Sequence, residues 1–104
     1  SDILTERRNE LVKVLEGWEH AKSNPIFAMN FFKDYPIEVL KDQTAKAFEK
    51  AGSIIKVDEV VPENQLRGYF IMEGEHTNIK VRFTLTPEHE PKIQEFHIDP
   101  IVKN

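Results

Sequence analysis

The sequence predicts an α+β domain in which three N-terminal helices pack on a curved four-stranded antiparallel meander. Three observations lead there. Residues 78–86 alternate without error, Ile79, Val81, Phe83 and Leu85 on one side and Lys80, Arg82, Thr84 and Thr86 on the other, the period of a half-buried strand. The first half instead repeats its apolar residues every three or four positions, the period of helices. The two regimes meet at Gly52, a residue suited to follow a helix end. A strand with one apolar face needs paired neighbours and a cover, and the preceding helices supply the cover.

The first helix is predicted over 4–22, where Leu11, Val14, Leu15 and Trp18 form a stripe and Asp2 or Thr5 can cap the start. Asn24 as N-cap and Pro25 at the first helical position predict a short second helix over 25–33, buried on most sides through Ile26, Phe27, Ala28, Met29, Phe31 and Phe32. Asp34, Tyr35 and Pro36 open a third over 36–51, with Glu38 favourably placed in its first turn and an apolar stripe of Ile37, Leu40, Thr44, Ala47, Phe48 and Ala51. The strands follow over 54–61, closed by the turn cluster Pro62, Glu63 and Asn64, then over 66–73, 77–86 and 92–101. In the last strand Ile93 is out of phase with Phe96 and Ile98, which a β-bulge near Gln94 and Glu95 reconciles. No repeat, linker or low-complexity tract divides the chain, so 1–104 reads as one domain. A bent sheet wrapped on a long helix makes a cone, the geometry of the cystatin-like or ketosteroid-isomerase-like (nuclear-transport-factor-like) roll.

At 104 residues the chain supports one modest core. Its 14 basic and 18 acidic residues leave a formal net charge of −4, with no broad attraction for phosphate backbones, so nucleic acid is not an expected partner. Absence of cysteine excludes disulfides, thiolate metal sites and a cysteine nucleophile. No apolar run approaches the roughly 18 residues of a membrane span, and residues 1–6 lack the order of a signal peptide, so a soluble chain is expected.

The chemistry-bearing residues are sparse. Ser53 and Lys56 match a serine-x-x-lysine pattern, but strand spacing puts them on opposite faces and about 10 Å apart along the chain, too far for proton transfer. His20, His76, His89 and His97 include no pair at metal-ligand spacing. Glu95, His97 and Asp99 share one face of the last strand, read as a polar outer face, with a weak metal or acid–base cluster as the alternative. No metal or cofactor is expected. Asp34 and Tyr35, at a helix junction near the mouth of the cone, are the one acid and phenol that an isomerase could use, and helix capping is the reading preferred for them. Trp18, Phe27, Phe31, Phe32 and Phe48 are core candidates that would line an apolar small-ligand pocket if the helices left the sheet partly open. Arg67, Tyr69, Ile71, Lys80 and Arg82 form a basic and aromatic patch on the outer sheet face, suited to a neighbouring domain or to a homodimer.

The stretch Val81-Arg82-Phe83-Thr84-Leu85-Thr86-Pro87-Glu88-His89-Glu90-Pro91-Lys92-Ile93-Gln94-Glu95-Phe96 is a strand, a proline-rich turn and a proline-x-lysine-isoleucine return. With it, residues 31–101 resemble a small accessory domain attached to bacterial β-lactamase-related serine hydrolases and some related exported peptidases. Glu95 stands where that family commonly has glycine, and Lys92 where it has histidine. The resemblance implies fold and context rather than catalytic residues: a non-catalytic companion, extracytoplasmic by that resemblance alone, beside a catalytic domain. The expected function is thus an accessory binding or interaction domain of a larger exported hydrolase. The alternatives are a stand-alone small-molecule-binding protein or isomerase-like enzyme using Asp34 and Tyr35, and a structural domain dimerising through its sheet.

Overall fold

A computed structural model describes residues 2–103, without the side chain of Asp2, so that cap candidate lies outside the described residues. Helix α1 (Asp2–Glu16), a single 3₁₀ turn (Ala21–Ser23), helix α2 (Phe31–Asp34) and helix α3 (Ile37–Ala51) precede strands β1 (Ile54–Val57), β2 (Val61–Asn64), β3 (Arg67–Gly74), β4 (Asn78–Leu85) and β5 (Ile93–Ile101). The chain is therefore α+β, three helices followed by an open antiparallel sheet of five strands in the order β1-β3-β4-β5, with β2 also paired to β3. Helices cover one face only, and the Cα envelope measures 38 × 29 × 17 Å, the thinness of one helical layer on one sheet.

The period-2 reading of the sheet is accurate. β3 and β4 bury alternate residues, Gly68, Phe70, Met72 and Gly74 facing the helices beside Ile79, Val81, Phe83 and Leu85. The bulge lies where the phase break placed it: Thr84 faces Glu95 and Leu85 faces Ile93, leaving Gln94 as the extra residue. That slip lets Ile93 and Phe96 both point inward, and both are buried.

Four boundaries differ from expectation, each for a tertiary reason. The predicted first strand is two: at the break Asp58 N still donates to the Ile71 carbonyl of β3 at 2.8 Å, while its own carbonyl turns to α1 and accepts from Arg8 Nη1 at 2.6 Å. β1 and β2 lie end to end along β3, so Pro62, Glu63 and Asn64 belong to a strand, and the turn falls on Gln65 and Leu66. The first helix ends at Glu16 rather than at residue 22. Gly17, which caps it with bonds to the Lys13 and Val14 carbonyls, is a poor helix residue, and the chain turns so that the half-buried Trp18 ring comes within 6.5 Å of Phe96. Thr5 lies inside α1 and is no cap.

The second helix shrinks to one turn, and Met29 is 98% exposed rather than buried. Pro25 and Ile26 form a turn instead, and Phe27 makes a single parallel bridge to Ile93 at the start of β5, Ile93 donating to the Ile26 carbonyl at 2.6 Å and Ala28 to that of Ile93 at 2.9 Å. Asn24 is consequently no helix cap; its side chain accepts from the Ile26 N–H at 3.1 Å in a local turn. α3 matches prediction within a residue, with Pro36 at the N-cap, so neither Asp34 nor Tyr35 caps it.

α3 ends at Gly52, whose φ of 77° lies where a side chain is strained. The β3–β4 turn clamps this end: His76 N donates to the Ala51 carbonyl at 2.8 Å, and Glu75 Oε1 accepts from Ser53 N at 2.9 Å. The space between helices and sheet is filled by Leu4, Leu11, Leu15, Leu40, Phe70, Phe83 and their apolar neighbours. Thr44 is the only polar residue buried as a whole among the described residues, and its hydroxyl is satisfied by the Leu40 carbonyl at 2.7 Å.

Candidate functional site

The aromatic candidates pack on one another. Phe31 stacks on Phe96 at 5.6 Å with planes 8° apart, Phe27 lies 4.7 Å from Phe31 and 4.9 Å from Phe32, and the Tyr35 ring 5.2 Å from Phe31. Burial and ring contacts of this kind stabilise a core. Phe48, half-buried, packs elsewhere against the same core. Phe27 and Phe32 also form a wall of a surface depression of about 410 Å³, rimmed by Lys22, Lys33 and the exposed Met29.

The structure separates Asp34 from Tyr35: Asp34 is exposed on α2, while Tyr35 reaches the edge strand β5. There its hydroxyl donates to Glu95 Oε2 at 3.2 Å, Thr84 donates to Glu95 Oε1 at 3.3 Å, and His97 Nε2 stands 3.7 Å from Glu95 Oε2. Arg67 Nε in turn donates to the Thr84 hydroxyl at 3.2 Å. The bulge at Gln94 re-aims Glu95 into this position. Burial above all, then the charge and hydrogen bond of Glu95 and the charge of Asp34, pushes the Tyr35 phenol up from its ordinary value. Tyr35 is therefore a hydrogen-bond donor at neutral pH and not a base. His97 is 57% exposed and Glu95 36%, so water screens their pairing.

On the outer sheet face the predicted patch is assembled by register, Tyr69 opposite Arg82 and Ile71 opposite Lys80. Lys80 Nζ sits 4.3 Å over the Tyr69 ring, and Arg82 pairs with Glu63 at 2.8 Å. Glu63, placed here by β2, is a member of this face that the turn reading of 62–64 concealed.

A second carboxyl pair joins β3 to the break between β1 and β2. Asp58 Oδ1 is buried without a hydrogen bond, and its nearest cation is Lys56 Nζ at 3.8 Å. The neighbouring Asp58 carboxylate, first as a hydrogen-bond acceptor and next by its charge, raises the Glu73 carboxyl above its ordinary value, Lys56 and Lys103 pulling the other way. Ser53, the other half of the serine-x-x-lysine match, is engaged through its backbone with Glu75, not with Lys56. Among the described residues no three His, Asp or Glu side chains are grouped to hold a metal ion, and no helix is long and apolar enough to cross a membrane.

No family model, curated protein or solved structure matches this chain. The geometry carries whatever can be said of function. It offers hydrogen-bonding and charged groups on the edge and outer face of a sheet whose inner face is apolar.

Proposed function

We propose that the chain is a non-catalytic binding or interaction domain that works through its surface, as a companion to a hydrolase domain in a longer exported protein. The observation that carries this reading is the filled interior. Every inward side chain of β3, β4 and the first half of β5 is buried and lacks an ionisable group. An isomerase of this general architecture needs a buried acid and a donor facing a bound substrate. Tyr35 faces Glu95 at the sheet edge instead, hydrogen-bonded and screened. The outer face suits a partner domain, since Tyr and Arg are frequent anchors and no helix covers Tyr69, Ile71, Lys80 or Arg82.

The hairpin of residues 81–96 supports the hydrolase context through the resemblance it carries. The reading frame around these residues tests it, followed by titration of the adjoining domain with the parent and with a Lys80→Glu, Arg82→Glu variant. An adjoining serine hydrolase domain, bound at least about tenfold more weakly by the variant, is the expected result. A frame without a second domain, together with turnover of a small substrate that Tyr35→Phe abolishes, overturns it in favour of an isomerase.

A further inference from the structure

The last strand has one side unused. β5 ends the sheet order, and beyond Ile93, which bonds to residues 26 and 28, its outward backbone groups make no hydrogen bond among the described residues. This edge, residues 94–99, is roughly 20 Å long at strand rise, with the Tyr35 side chain reaching across its start to Glu95, and α3, about 22 Å long, runs beside it. Between them lies a groove in two parts that share Gln43. One part, about 230 Å³, is walled by Val39, Leu40, Phe96 and His97. The other, about 510 Å³, has Ala47, Ile98 and Pro100 as its apolar floor and Lys46, Glu49 and Lys50 on its rim. Val39 is 52% exposed although apolar.

We propose that this groove takes an extended peptide segment of a partner protein, which adds to β5 as a further strand and places alternate apolar side chains against α3. An edge strand beside a parallel helix supplies both requirements of strand addition, a row of backbone donors and acceptors and a side-chain trough. Charge selects the occupant. Lys50 has no ion pair among the described residues, and Lys46 reaches only Asp42 at 3.0 Å on its own helix, so an acidic side chain is favoured at the Pro100 end. A second copy of β5 fits poorly. Self-pairing centred on His97 sets Glu95 against Asp99 twice, centring on Ile98 sets Phe96 against Pro100, which has no N–H to give, and centring on Phe96, which sets Glu95 against His97, needs the part of the edge that Tyr35 crosses. The whole chain carries −4.

The site deepens the binding-domain reading, but it lies on the edge, away from the outer-face patch tested above, so the two can fail separately. The test uses the isotope-labelled chain and a synthetic peptide of about six residues that alternates valine with threonine and ends in glutamate. At millimolar peptide the expected amide shifts are confined to residues 94–99 and the facing side of α3. Methylating the peptide's alternate backbone nitrogens, or the exposed double change Lys46→Glu, Lys50→Glu, weakens binding at least about tenfold, with the fold retained by circular dichroism. Absence of shifts in residues 94–99 overturns the proposal. So does equal binding of the N-methylated peptide, which would mean a side-chain trough without strand addition. A peptide-free dimer in sedimentation, lost on Val39→Asp, would assign the groove to a second copy and also overturn it.

Discussion

Gly74 lies against the end of α3, and replacing it tests the packing of the two layers. A Cβ built there lies 2.6 Å from the Ala51 carbonyl oxygen and 2.7 Å from the Ala51 Cβ, with the Thr77 carbonyl oxygen nearer still. Against the Ala51 oxygen, ordinary contact is missed by about 0.8 Å, and two of these three neighbours are backbone that cannot rotate away. Overpacking of this kind costs about 1–3 kcal/mol, and rigid neighbours put Gly74→Ala at the upper end. About 3 kcal/mol lowers the melting temperature of a domain this size by about 12–24 °C. Circular dichroism during heating, with urea unfolding to show an unchanged m-value, measures it. Gly17→Ala is the control: nothing lies within 4 Å of its Cβ, and removing unfolded-state freedom should stabilise by about 0.4–1 kcal/mol. A loss below about 0.5 kcal/mol in Gly74→Ala refutes the close approach of α3 to the β3–β4 turn.

Other substitutions probe the remaining contacts. Gly52→Ala forces a side chain into a left-handed position against His76 and Glu75 and should cost about 1–3 kcal/mol, read by the same melts. The raised Glu73 carboxyl contributes stability that is complete below the ordinary glutamate value and fades as pH rises through its folded value. Glu73→Gln should therefore gain on the parent in urea midpoints as pH rises above the ordinary glutamate value, and a constant difference refutes the influence of Asp58 on Glu73. Tyr35→Phe removes one half-exposed hydrogen bond and should cost about 0.5 kcal/mol near neutrality. Because the phenol is raised, that difference should shrink as pH climbs through its folded value, and growth of the gap would exclude the Glu95 contact.

What the sequence disclosed was what local periodicity controls. The alternation through Phe70, Val81 and Phe83 survives folding because one-residue slips would turn the whole apolar set to solvent. The phase break at Ile93 was enough to locate a bulge, but not to show that Glu95 would meet Tyr35 across the strand edge, since that depends on where α2 ends. The run Ile26, Phe27, Ala28 read as helix because Asn24 and Pro25 are common helix openers. Its backbone bonds go to Ile93, distant in sequence, and no local signal marks such a partner. Gly17 was the available sign that α1 stops early, and Trp18 outweighed it by fitting the apolar stripe. At the break between β1 and β2 the Asp58 carbonyl bonds Arg8, fifty positions away, a contact that no local pattern announces. The groove beside β5 could not be read at all, because it exists only in the spacing of two elements.

The pairing of residues 26 and 28 with Ile93 makes one corner of the helical layer depend on the last strand. Arg7 reinforces it, donating to the Pro91 carbonyl at 2.7 Å across 84 positions. Helices α1 and α3 can close on β3 and β4 as these are made, but residues 26–28 and the Arg7 anchor have no partner until β5 and the turn before it follow. Folding then proceeds at the slower pace of distant contacts, and a holding chaperone would have most to do before β5 appears.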